Sequence, residues 1–166
     1  ANSGISSIAQ LNGKTVVTTT GTTSAQMLRY RAPGLDFKDV FGRDHSDSFL
    51  QLESGRADAF VMDGSILAGN IAVAKNPSDF KIVGEVLSAE PIAIMIRKDD
   101  SGFKKLGEET IAGLIKTGEM SRLWDKWFTQ PIPPRNTRLG LNLNESTKAA
   151  WAVPNDKPIE DYFARR

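Results

Sequence analysis

The sequence predicts an α/β fold, with a mostly parallel sheet flanked by helices and then further helices and an extended tail. Three observations predict it. Thr15-Val16-Val17-Thr18-Thr19 is β-branched throughout, as a strand buried on both faces requires. A glycine turn and a helix-like stretch follow it directly, Gly21-Thr22-Thr23-Ser24 and then residues 25–30. Short apolar runs and helical patterns then alternate, the signature of crossover connections between parallel strands.

Pro33-Gly34 stops the first helix, and residues 35–40 are expected as a short strand. A second helix is expected over 47–54, capped by Ser46 or Asp47, burying Phe49, Leu50 and Leu52 and ending at Gly55. Residues 57–62 read as a strand that delivers Asp63 to its C-terminal tip, and 64–74 as a helix. After a turn at 76–79, strands are expected over 80–83 and 92–96. Asp99 or Ser101 caps a long helix reaching Thr117, with Phe103, Leu106, Ile111, Leu114 and Ile115 as its apolar stripe, and Gly118 breaks it. A shorter helix over 121–128 carries Trp124, Trp127 and Phe128, whose expected role is packing. Pro131-Ile132-Pro133-Pro134 ends it, and a short helix is expected near 145–151 in a turn-rich tail.

Composition narrows the function classes. Lys and Arg number 21 against 20 Asp and Glu, a formal net charge of +1, which gives no broad field for nucleic acid or an anionic membrane. There is no cysteine, so disulfides, thiolate chemistry and cysteine-ligated zinc are excluded. With a single histidine, a metal site would need carboxylates alone, and neither metal nor cofactor is expected. No apolar run is long enough to span a bilayer. Ala1-Asn2-Ser3-Gly4 has neither the basic nor the apolar region of a signal peptide, so a mature form or a fragment is expected.

Three places can carry chemistry. The strand–turn–helix at 19–24 offers helix N–H groups, a glycine permitting close approach and the hydroxyls of Thr22, Thr23 and Ser24, a seat for a carboxylate or phosphate. It lacks the Walker and dinucleotide glycine patterns, and a hydroxyl-capped helix without a ligand is the competing reading. His45 lies in the polar stretch Arg43-Asp44-His45-Ser46-Asp47, where an exposed loop histidine is the alternative. No Gly-x-Ser-x-Gly elbow supports a catalytic triad. Asp63 sits where open α/β sheets bind ligands and suits a substrate ammonium, or else it caps the following helix.

These residues stand in phrases that resemble a known family. Residues 11–16 followed by Gly21-Thr22-Thr23-Ser24 look like the opening of the second lobe in polar amino-acid solute-binding proteins of ABC importers. Gly55-Arg56-Ala57-Asp58-Ala59 running on to Asp63 resembles their second-lobe strand. Asp44-His45-Ser46-Asp47-Ser48-Phe49, Arg97-Lys98-Asp99-Asp100 and Trp124-Asp125-Lys126-Trp127-Phe128 with Pro131-Ile132-Pro133-Pro134 are similar to the glutamate/aspartate-binding branch (solute-binding protein family 3). The resemblance runs over about residues 8–157.

It implies a type II periplasmic-binding-protein second lobe over 10–91, entered by a crossover segment, 1–9. A return strand and helices of the first lobe would occupy 92–134, and a tail 135–166. It also implies roles. Thr23 and the N–H groups after Gly21 would hold the α-carboxylate of L-glutamate or L-aspartate, Asp63 the ammonium and His45 the side-chain carboxylate. The partner would be an inner-membrane permease and the compartment the periplasm. The family carries a first lobe whose arginine and hydroxyls also clamp the α-carboxylate, and the 166 residues do not include that motif. Loss of such a partner costs on the order of 2–5 kcal/mol, so weak or no binding by the chain alone is expected, with self-association through the stretch from Ile92 to Arg166. Two alternatives stay open, a short form used in assembly or protein–protein interaction and a dehydratase-like enzyme on the same fold.

Overall fold

A computed structural model describes residues 3–158 of the chain, so the ends of the expected crossover segment and tail, 1–2 and 159–166, lie outside the described residues. The chain forms two compact units, Ala1–Leu87 and Ser88–Arg166.

The first unit is built on three parallel strands in the order β2-β1-β3, namely β1 (Thr15–Thr19), β2 (Lys38–Gly42) and β3 (Ala59–Phe60). Between them run α1 (Thr23–Arg31) and α2 (His45–Glu53), and α3 (Gly64–Val73) follows. Because β1 is central, it must be apolar on both faces, and its β-branched run meets that demand. Val16 and Val17 are both fully buried and point to opposite sides. Val16 packs with Leu28 of α1 and with Ile5, Leu11, Ala32 and Phe37. Val17 packs with Phe49 of α2, with Ala57 and Phe60, and with the half-buried Leu67 and Ile71 of α3. Each such valine contributes roughly 1.5–3 kcal/mol by its burial.

The second helix differs from expectation in a way that matters for function. It starts at His45 and its N-cap is Asp44, whose side chain accepts from the Asp47 N–H at 2.8 Å, so neither Ser46 nor Asp47 is the cap. The inward stripe is therefore His45, Ser48, Phe49 and Leu52, spaced i, i+3, i+4 and i+7. Leu50 lies off that stripe and is exposed, contrary to expectation. The helix comes unusually close to the tip of β2. A Cβ at Gly42 would lie 2.6 Å from the Ser48 backbone nitrogen and 2.8 Å from its Cα.

Other boundaries also moved. The strand expected over 35–40 is Lys38–Gly42, because its register is set by pairing with Thr15–Thr19. Only Ala59 and Phe60 of the expected 57–62 strand join the ladder. Residues 80–83 and 92–96 form no strand. A strand needs a ladder partner for its backbone, and among the described residues the sheet has only three strands. At the end of this unit the Ile8 N–H donates to the Glu85 carboxylate at 3.0 Å, which holds that carboxyl below its ordinary value.

The second unit contains α4 (Ser101–Lys116), α5 (Glu119–Trp124) and α6 (Glu145–Ala152). Asp100 caps α4, accepting from the Phe103 N–H at 2.9 Å, and Gly118 breaks the helix with φ +76°. The helix expected over 121–128 is divided, as α5 passes into a wide π-type turn at Asp125–Thr129. Trp124 stacks on Phe128 at 4.3 Å and meets Trp151 edge-on at 6.1 Å, while its indole N–H donates to the Leu141 carbonyl. Lys104 bridges Glu108 and Asp156, which raises the ammonium pKa and lowers that of Asp156. None of the described residues from 88 to 158 is buried.

The close approach at Gly42 gives a direct test. Gly42→Ala must push α2 away from β2, and chemical denaturation is expected to show a loss of about 1–3 kcal/mol. An unchanged midpoint would mean that the helix does not sit against the strand tip.

Candidate functional site

All three parallel strands end at the same edge of the sheet, and each hands the chain to a helix there. β1 leads through Gly21 to α1, β2 through Arg43 and Asp44 to α2, and β3 through residues 61–63 to α3. The order β2-β1-β3 means that the chain leaves β1 on one side and later crosses to the other. In open parallel sheets such a reversal marks where ligands bind, at the C-terminal end of the central strand. The same edge carries Gly21, Thr22, Thr23, His45 and Asp63.

The local chemistry differs among them. Gly21 has φ +74° and open space where a Cβ would stand, so backbone conformation alone demands glycine. Thr22 occupies the N-cap of α1 but makes no capping bond. Its hydroxyl donates back to the Thr19 carbonyl at 2.8 Å and so shapes the turn. Thr23, the first residue of α1, is exposed. Asp63 holds the N-cap position of α3, also without a side-chain capping bond. The two helices beginning at the tips of β1 and β3 thus lack the side-chain cap that Asp44 gives α2.

His45 is half-buried and is not a loop residue. Its Nδ1 lies 3.0 Å from the Thr19 hydroxyl, which in turn lies 2.9 Å from the Ser48 hydroxyl. Thr19 is the last residue of β1, so this contact fastens the start of α2 to the central strand. Thr19, Asp44 and Ser48 lie in stretches the sequence singles out, but their contacts with one another and with His45, and the close approach at Gly42, are not evident there. The available signals were a glycine at a strand end, which marks close approach, and the helical spacing of Ser48 from His45.

Among the described residues no group of acidic and histidine side chains could hold a metal ion, and no helix is long and apolar enough to cross a membrane.

Comparison with known proteins agrees with the architecture. No family model matches the chain. The chain is 44% identical over 157 residues to the glutamate/aspartate import solute-binding protein of Escherichia coli, covering 93% of the chain and 52% of that protein. It is 42% identical over 154 residues to the L-glutamate/L-aspartate-binding protein of Pseudomonas aeruginosa, covering 90% of the chain and 50% of the relative. Among solved structures, an ancestral arginine-binding protein bound to arginine superposes with a TM-score of 0.62 at 32% identity, over 75% of this chain and 54% of that one. The fold is that of a type II periplasmic-binding-protein lobe. Over the stretch it spans, the chain is similar to the polar amino-acid solute-binding proteins of ABC importers, and the relatives named above are glutamate/aspartate-binding ones. It spans about half the length of the curated relatives it matches. Those relatives are solute-binding proteins and not enzymes, so the dehydratase alternative finds no support.

The turn at Gly21 can be tested separately from the packing at Gly42. Gly21→Ala meets no clash and should cost only the left-handed backbone term, about 1–2 kcal/mol by thermal or chemical denaturation. A neutral result would show that the turn adopts another conformation.

Proposed function

We propose that the chain provides one side of a binding site for an acidic amino acid, L-glutamate or L-aspartate, within the solute-binding component of an ABC uptake system in the periplasm. The observation that carries this reading is the convergence at one sheet edge of a helix N-terminus without a side-chain cap, a carboxylate and an imidazole. These are the groups an amino acid with an acidic side chain requires.

In this reading Thr23 and the N–H groups following Gly21 receive the α-carboxylate, where the helix dipole favours negative charge. Thr22 shapes the turn that presents them. Asp63 takes the α-ammonium in a charge-assisted hydrogen bond. His45 faces the side-chain carboxylate and so distinguishes acidic from neutral ligands. Residues 10–91 serve as the second lobe, 1–9 as the crossover into it, 92–134 as part of the first lobe and 135–166 as a tail. Lobe closure around the ligand, and delivery to an inner-membrane permease, follow from the same assignment. The 166 residues carry one side of the grip, and by themselves they hold the ligand more weakly than relatives twice as long.

Calorimetry with L-glutamate and L-aspartate tests the assignment. Asp63→Asn is expected to weaken binding about 30-fold or more, the cost of a lost charged partner. Equal affinity in the variant would remove Asp63 from the site. His45→Ala is expected to weaken binding of L-glutamate more than that of L-glutamine, because only the acidic side chain loses a charge-assisted partner. An equal loss for both ligands would exclude His45 as the selector.

A further inference from the structure

The Thr19–Ser48 pair is buried, lies outside the ligand contacts assigned above and touches His45. We infer that Thr19 and Ser48 are positioning residues that fix His45 in the Nδ1–H state, so that Nε2 is the nitrogen that meets the acidic side chain of the ligand. The inference rests on the assignment of His45 to the acidic-ligand site.

Counting protons leads to it. Ser48 is fully buried, and its hydroxyl lies 2.9 Å from the Asp44 carbonyl and 3.4 Å from the Thr18 carbonyl. A carbonyl can only accept, so the single Ser48 proton goes to Asp44, the nearer of the two. Ser48 Oγ is then an acceptor towards Thr19. Thr19 is also buried, and its hydroxyl lies between Ser48 Oγ at 2.9 Å and His45 Nδ1 at 3.0 Å.

If Thr19 donated to His45, two hydroxyl oxygens would face each other at 2.9 Å with no proton between them, in a buried site where unmatched polar contacts are costly. If Thr19 donates to Ser48, its oxygen is left to accept from His45 Nδ1–H. Every contact is then satisfied in a chain running from His45 to Thr19 to Ser48 to the Asp44 carbonyl. Aligned hydrogen bonds of this kind strengthen one another.

The polarity has a functional consequence. Nδ1 donates in this chain whether the ring is neutral or charged, so protonation changes nothing along the relay and adds its proton at Nε2. The opposite polarity would have to break before the ring could become a cation. The charged residues flanking His45 in the chain are Arg43, Asp44 and Asp47, with Asp47 turned towards Arg43, and Asp63 lies at the same sheet edge. β1 and the first turn of α1 contribute no charge. An apolar partner of the same shape could fill the Thr19 position, but it could not select the tautomer.

His45 is the only histidine, so its two ring nitrogens give unambiguous signals in nitrogen-detected NMR. At a pH where the ring is neutral, the native 166-residue chain should show the Nδ1–H tautomer. Thr19→Val, which keeps the shape and removes the hydroxyl, should shift the ring towards the Nε2–H tautomer and weaken L-glutamate binding about tenfold. Thr19→Ser should restore both, and Ser48→Ala should weaken the tautomer preference in a helix that remains folded by its amide spectrum. An Nε2–H ring in the native chain, or a tautomer indifferent to Thr19→Val and Ser48→Ala, would overturn the inference. If the tautomer responds as expected while L-glutamate fails to bind, the relay stands and the ligand assignment falls. If L-glutamate binds through His45 while the tautomer is unmoved, the relay alone falls.

Discussion

The structure depends on how closely the first turn of α2 can approach the tip of the sheet. Gly42 allows the approach because it has no side chain to meet the Ser48 backbone. Ser48 then reaches Thr19 at the end of β1, and Thr19 reaches His45. One missing Cβ thus lets a surface imidazole be anchored to the most buried strand of the domain. Rigid elements hold a functional group more precisely than a loop does, and here a helix start is locked to a strand end.

The parallel sheet supplies the rest. A central strand buried on both faces fixes where each connecting helix must begin, since every crossover returns its helix N-terminus to the same edge. Val16 and Val17 send α1 to one face and α2 with α3 to the other, which spreads three helix starts along one sheet edge. The edge therefore gathers positive helix ends, hydroxyls, an imidazole and a carboxylate without any residue being drawn from far away in the sheet. A zwitterion with a second carboxylate needs that mixture. The relatives that match over more than nine-tenths of the chain are themselves glutamate/aspartate-binding proteins.

Much of this could be read in the sequence, for identifiable reasons. The strand at Thr15–Thr19 was legible because five consecutive β-branched residues tolerate little else, and Gly21 and Asp63 were legible as the punctuation of strand–turn–helix units. The helix at Ser101–Lys116 was legible from its stripe and its acidic cap region. The start of α2 was not, because Asp44, Ser46 and Asp47 are all competent caps and only tertiary packing chooses among them. That choice decided whether Leu50 or Ser48 faced inward, and with it whether His45 was a loose loop residue or the head of a buried stripe. Residues 80–83 and 92–96 have strand-like composition, but a strand exists only with a partner, and partners are not written in local sequence.

The measurement that bears most directly on the account is a map of backbone amide shifts as L-glutamate is titrated into the chain. The account predicts that the shifts concentrate at Gly21, Thr22, Thr23 and Ser24, at His45 and at Asp63, and that they saturate together with one affinity. Saturable shifts elsewhere, on α4 for instance, with residues 21–24, 45 and 63 unmoved, would contradict it.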